Sequence, residues 1–278
     1  MTFPALKLAD WQTTRDTIQG YSKLLGKIRR ALTPLETHWF HVSLRVGETG
    51  LTTTAIPYGE DSFYADHTFA MVMDFKAHKL NINSSRRLQL EIPLTGQSPK
   101  AFHDAVMDGM KTLGVQVEFD HSLFMDETPG SYDAAAVSAY WQALKQIDQV
   151  FQQFKAGLAG ETGPIQLWPH HFDLAMLWFS GRNVPGIDPH DRENADEQMN
   201  FGFSTGDTTI PDGYFYVTAY PTPDGFVGSM LSEGAYWNPT GFKGAIMPYA
   251  ELVGVENGNA RLLNFLHIVQ ARGAILMS

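Results

Sequence analysis

The run Trp168-Pro169-His170-His171-Phe172-Asp173-Leu174-Ala175-Met176-Leu177-Trp178-Phe179-Ser180-Gly181-Arg182 is the most apolar in the chain. It falls well short of the ~20 apolar residues that a membrane span needs. As a strand, it sends alternate side chains to opposite faces. Phe172, Leu174, Met176 and Trp178 share one face, which must be core; His171, Asp173, Ala175, Leu177 and Phe179 share the other. That second face is also apolar at its far end, so the strand is expected to be covered rather than washed by water. His171 and Asp173 then stand at the mouth of a covered, partly apolar space.

Around this strand the chain alternates between helical and strand periods. Asp10 can cap a helix whose apolar face is Trp11, Ile18, Tyr21, Leu25, Ile28 and Leu32, closed by Pro34. His38–Val46 reads as a strand, Leu51–Ile56 as another, and Pro57-Tyr58-Gly59 as a turn. Phe69–Phe75 and Lys79–Asn83 form a hairpin around Lys76-Ala77-His78, followed by a strand from Arg87 to Ile92. Ser98-Pro99 is a helix start with a capping hydroxyl and proline in the first turn, and Gly114 is its stop. Met125–Gly130 is polar and turn-rich. A second long helix carries Val137, Tyr140, Leu144, Ile147, Phe151, Phe154 and Leu158 at helical spacing. A polar loop, Gly181–Glu197, follows the apolar strand. Strands at Met199–Ser204, Gly213–Tyr220, Phe226–Leu231 and Gly241–Met247 and a last helix complete the pattern.

The expected fold is α+β, with mixed or antiparallel sheets and about four helices. It falls into an N-terminal half, 1–128, and a C-terminal half, 129–278, packed as one unit. The halves share an order of elements. His41-Val42-Ser43-Leu44 parallels His171-Phe172-Asp173-Leu174, and Ile92-Pro93 and Met247-Pro248 each lead into a helix, as an internal duplication would produce.

Lys and Arg number 20 against 30 Asp and Glu, a net charge of −10, and no basic cluster exceeds a pair. Nucleic acid and anionic membranes, which need a positive footprint, are therefore not expected partners. With no cysteine, disulfides, thiolate catalysis and Cys-ligated metals are excluded. The first residues lack a basic segment followed by an apolar one, which points to a cytoplasmic protein.

Several segments together resemble an uncharacterised bacterial family of unknown function. They are Trp11…Thr14-Arg15-Asp16-Thr17, Trp39-Phe40-His41-Val42-Ser43-Leu44, Thr53-Thr54-Ala55-Ile56-Pro57-Tyr58-Gly59, Phe172-Asp173-Leu174-Ala175…Phe179-Ser180-Gly181-Arg182, and the Tyr220–Phe226 turn. The resemblance covers nearly the whole chain and implies no activity. His170 and His171 depart from its pattern, standing where smaller residues are expected.

Three readings of function remain open. In the first, the chain is a metal-dependent or acid/base enzyme acting on a small polar substrate at the strand end. There, His171 and Asp173 project to one side as a His-x-Asp pair, and Glu197 or His41 supplies a third ligand for a divalent metal such as zinc. Without a metal, a carboxylate-oriented His171 would act as general base and Arg182 would hold an anionic group. The structural alternative has His171 ending the strand and Arg182 pairing with an acidic loop residue. In the second reading, a cleft lined by aromatics such as Trp39, Tyr58, Trp168, Trp178, Tyr216 and Trp237 binds a small ligand without chemistry, although strand-spaced aromatics equally fit a core. The third is an interaction protein without a pocket.

Overall fold

The computed structural model describes residues 2–59, 67–238 and 241–277. It contains four α-helices and two six-stranded sheets among the described residues, and every pairing between named strands is antiparallel. The chain divides into two compact units. One comprises Trp11–Trp141 and Leu167–Phe172; the other comprises Met1–Asp10, Gln142–Gln166 and Asp173–Ser278.

The first unit takes most of helix α1 (Leu8–Leu32) and strands β1 (Arg45–Val46), β2 (Gly50–Thr52), β3 (Ile56–Tyr58), β4 (His67–Asp74), β5 (Lys79–Ser84) and β6 (Gln89–Pro93). It also holds helix α2 (Pro99–Leu113) and the start of α3 (Ala134–Ala156). The sheet runs β1-β2-β4-β5-β6, with β3 also on β4. Phe69, Met71 and Met73 of β4 and Leu80 and Ile82 of β5 form its buried face. Ser22 of α1 touches the Met73 sulfur at 3.7 Å. A Cβ on Gly109 of α2 would meet Ile82 at 3.2 Å, so both helices lie over this face. The α2 boundaries follow from local chemistry. The Ser98 hydroxyl accepts the Ala101 N–H, Pro99 fills the first turn, and Gly114 ends the helix in the left-handed region at φ 75°.

The second unit carries the rest of α3, β8 (Asp173–Asn183), β9 (Asp196–Ser204), β10 (Tyr214–Tyr220), β11 (Tyr236–Asn238), β12 (Gly244–Pro248) and α4 (Gly258–Leu276). Its sheet order is β11-β12-β10-β9-β8; of the short β7 (Gln166–Trp168), Gln166 belongs to this unit and Leu167 and Trp168 to the first. Leu174 and Met176 pair with Phe203 and Phe201, which pair in turn with Phe215 and Val217. This apolar face lies against α3 and α4, with Phe154 and Phe201 ring centroids 4.9 Å apart and a would-be Cβ of Gly273 2.3 Å from the Met199 sulfur. The opposite face is covered too, since Ala175 and Phe179 are buried. From Asp173 to Phe179 the apolar run is a strand with two covered faces, as its composition requires.

Five expectations need correction. His38–Val46 is not one strand: Thr37–Val42 is a 3-10 segment in which His38 and Trp39 have φ of 52° and 58°. Two successive left-handed residues turn the chain, and only Arg45–Val46 pairs as β1. Leu51–Ile56 is interrupted by Thr54 at φ 59°, and Pro57 and Tyr58 belong to β3 rather than to a turn. Phe226–Leu231 forms turns, not a strand. The polar loop is shorter than its composition implies, because β8 reaches Asn183 after an irregularity and β9 resumes at Asp196. No helix among the described residues is long and apolar enough to cross a membrane.

Candidate functional site

The strand end does not have the geometry that alternation predicts. Residues 169–172 form a turn closed by the Phe172 N–H on the Trp168 carbonyl at 2.7 Å, and Phe172 sits at φ 59°. A left-handed residue between His171 and Asp173 breaks the two-residue repeat that put both on one face. Pro169, unwelcome inside a strand, begins this turn. His170 and His171, which a strand would point in opposite directions, have ring centroids 4.3 Å apart. His171 belongs to the first unit and Asp173 to the second.

In the second unit Asp173 is buried and its Oδ2 accepts the Tyr216 hydroxyl at 2.5 Å. Burial and the nearby carboxylate push the Tyr216 phenol well above its ordinary value, so its proton stays on the ring oxygen. The ring lies over Gly202, where a Cβ would stand 2.2 Å from its Cζ. At the far end of β8, Arg182 donates Nε to Glu197 Oε2 at 3.0 Å and Nη2 to Oε1 at 3.1 Å. Ser180 adds a hydroxyl bond to the same carboxylate at 2.6 Å. Arg182 and Glu197 are thus brought together as an ion pair across β8 and β9.

His41, in the first unit, is buried, and its Nδ1 accepts the Glu36 N–H at 3.3 Å. Among the described residues no group of three or more His, Asp or Glu side chains is gathered to hold a metal ion. Of the aromatics that could line a groove, Trp178, Phe201, Phe203 and Tyr214 are core.

The first unit holds a cleft that the sequence reading did not anticipate. It has a volume of about 420 Å³ and lies between α1, the start of α2 and the segment Phe124–Ser131. Its apolar floor is the stacked pair Tyr21 and Phe102, with centroids 3.9 Å apart, joined by Phe124. Tyr21 donates its hydroxyl to the Gln97 carbonyl at 2.9 Å, and burial holds its phenol far above the ordinary range. The far wall is the polar segment whose composition suggests a boundary. It is tied in place by the Lys100 N–H on the Asp126 carbonyl at 3.0 Å and the Ser131 N–H on the Thr17 hydroxyl at 3.1 Å. Behind it, Asp104, His103 and His121 form a hydrogen-bonded row at 3.0 and 2.8 Å, and the His103 ring stacks on Phe124.

One sequence signal does mark this cleft. α1 contains Gly20 and Gly26. A Cβ on Gly26 would meet Pro169 Cγ at 2.9 Å, so close packing accounts for it. A Cβ on Gly20 would meet nothing within 4 Å, and Gly20 lines the cleft.

An α+β chain with two antiparallel sheets and an aromatic-floored cleft is the class defined by fold and site. Residues 3–278 match the family described as "Family of unknown function (DUF5996)", and the chain belongs to that family. No curated protein matches the chain, and no solved structure does.

Proposed function

We propose that the chain binds a small molecule in the cleft between α1, α2 and Phe124–Ser131. The observation that carries this reading is Gly20. Glycine inside a helix destabilises it by roughly 0.5–1 kcal/mol relative to alanine. At Gly26 a neighbouring ring excludes any side chain; at Gly20 no neighbour does, and what glycine keeps there is open space on the cleft wall. The volume falls in the range of ligand pockets, roughly 300–1,000 Å³, and an apolar floor with a few polar groups at the margin is their usual chemistry.

The test is a fragment screen by amide NMR on the full chain. Binders should shift Thr17, Gly20 and Tyr21 together, and Gly20→Phe, which fills the cleft from α1, should abolish those shifts while leaving the rest of the spectrum folded. A screen in which no fragment shifts these residues, or in which Gly20→Phe binds as the wild type does, ends the proposal.

A further inference from the structure

We infer that the ligand of this cleft is a cation, an ammonium group carried on a flat apolar body; the inference rests on the binding reading above and specifies its chemistry. The lining residues include two carboxylates, Asp16 and Asp126, and no Lys, Arg or His. Arg15 holds Asp16 Oδ1 at 2.7 Å, and the Asp16 side chain remains 53% exposed. Asp126 accepts the N–H of Thr128, and those bonds hold its carboxyl below the usual carboxylate range, so it is ionised at neutral pH.

The donors of the cleft are largely committed within the protein. The Tyr21 proton goes to Gln97 and the Thr17 proton to the Thr13 carbonyl at 2.9 Å. A ligand that binds here meets two carboxylates and no basic side chain, which favours a polar end that donates. Tyr21, Phe102 and Phe124 form an apolar floor on which a flat apolar body can rest. An anionic ligand would bring its charge against Asp16 and Asp126 with no basic side chain on the lining to answer it.

Three indoles that differ only in the end group test this: tryptamine (ammonium), tryptophol (hydroxyl) and indole-3-acetate (carboxylate), each titrated into the full chain by amide NMR. Tryptamine should bind up to about fivefold more tightly than tryptophol, and indole-3-acetate should give no saturable shifts at Thr17, Gly20 or Tyr21. Asp126→Asn should bring tryptamine down toward tryptophol and leave tryptophol unchanged; Asp16→Asn serves as a second variant. If tryptophol or indole-3-acetate binds as tightly as tryptamine, the cation inference is overturned and the binding reading stands. If none of the three shifts the cleft residues, the cation inference is overturned as well, and the fragment screen decides the binding reading separately.

Discussion

Thr17 and Ser131 are joined by a hydrogen bond from the Ser131 N–H to the Thr17 hydroxyl oxygen at 3.1 Å, and a would-be Cβ on the adjacent Gly130 would stand 2.4 Å from that same oxygen. One turn earlier, Thr14 accepts the Asp133 N–H at 3.0 Å. Thr17→Val keeps the branched shape and removes the acceptor. It should lower the unfolding free energy by about 0.5–1.5 kcal/mol and speed amide exchange at Ser131. Unchanged exchange there would show that the wall of the cleft is held by something else.

The two glycines of α1 should respond with opposite signs. Gly20→Ala meets no atom within 4 Å and should stabilise by roughly 0.5–1 kcal/mol. Gly26→Ala gains the same propensity but drives a methyl against a proline ring at 2.9 Å and the Val42 carbonyl at 3.2 Å. Overpacking of that kind costs about 1–3 kcal/mol, so the net change should be destabilising. Denaturant midpoints for the two variants decide the matter; shifts in the same direction would contradict it.

Gly202→Ala places its Cβ within the Tyr216 ring, so the ring must leave Asp173. We expect a loss of about 1–3 kcal/mol, together with a fall in the Tyr216 phenol toward its ordinary value. Ultraviolet titration of the tyrosines reads the second effect, and Tyr216→Phe identifies which transition belongs to this ring.

His41 should make stability depend on pH. Burial lowers its pKa; Glu36 opposes this, and Arg30 and Arg29 add to it. The folded value therefore lies below the unfolded one, about 6.5. As pH falls through that value, the unfolded chain takes up a proton that the folded chain resists, so stability falls with it. Above it neither state is protonated and the contribution is flat. Chemical unfolding between pH 8 and pH 5 should show this slope in the wild type, and His41→Gln, which keeps an acceptor for Glu36 N–H but does not titrate, should lose part of it. Identical slopes would refute the assignment.

Where the chemistry is local, the sequence was legible. Ser98, Pro99 and Gly114 fix α2 because cap and stop act within one turn, and the hairpin at Lys76-Ala77-His78 follows from alternation on both sides of it. The apolar strand was recognisable as covered on both faces because its composition demands it. The errors cluster where single residues take left-handed backbone. Trp39, Thr54 and Phe172 are not glycines, and nothing in their side chains announces the turn. Phe172 had the largest effect, since one reversed φ dissolves the pairing of His171 with Asp173. The Arg182–Glu197 pair matched the structural alternative named for Arg182, an acidic residue at the end of the polar loop. Gly20 apart, the sequence does not mark the cleft, for a different reason: its opposite walls lie more than a hundred residues apart in the chain, and no periodicity spans that distance.

That separation has a consequence for biosynthesis. The helix that supplies Gly20 emerges from the ribosome long before Ser131 and Asp133, the residues whose amides hold the opposing wall. Until they arrive, the Thr14 and Thr17 hydroxyl oxygens have no amide of that wall to accept, and the nascent chain has half a receptor. A molecule that fits the finished cleft would bind no product that ends before Ser131, so it would report on folding of the first unit and would favour chains that contain that wall over shorter ones by mass action.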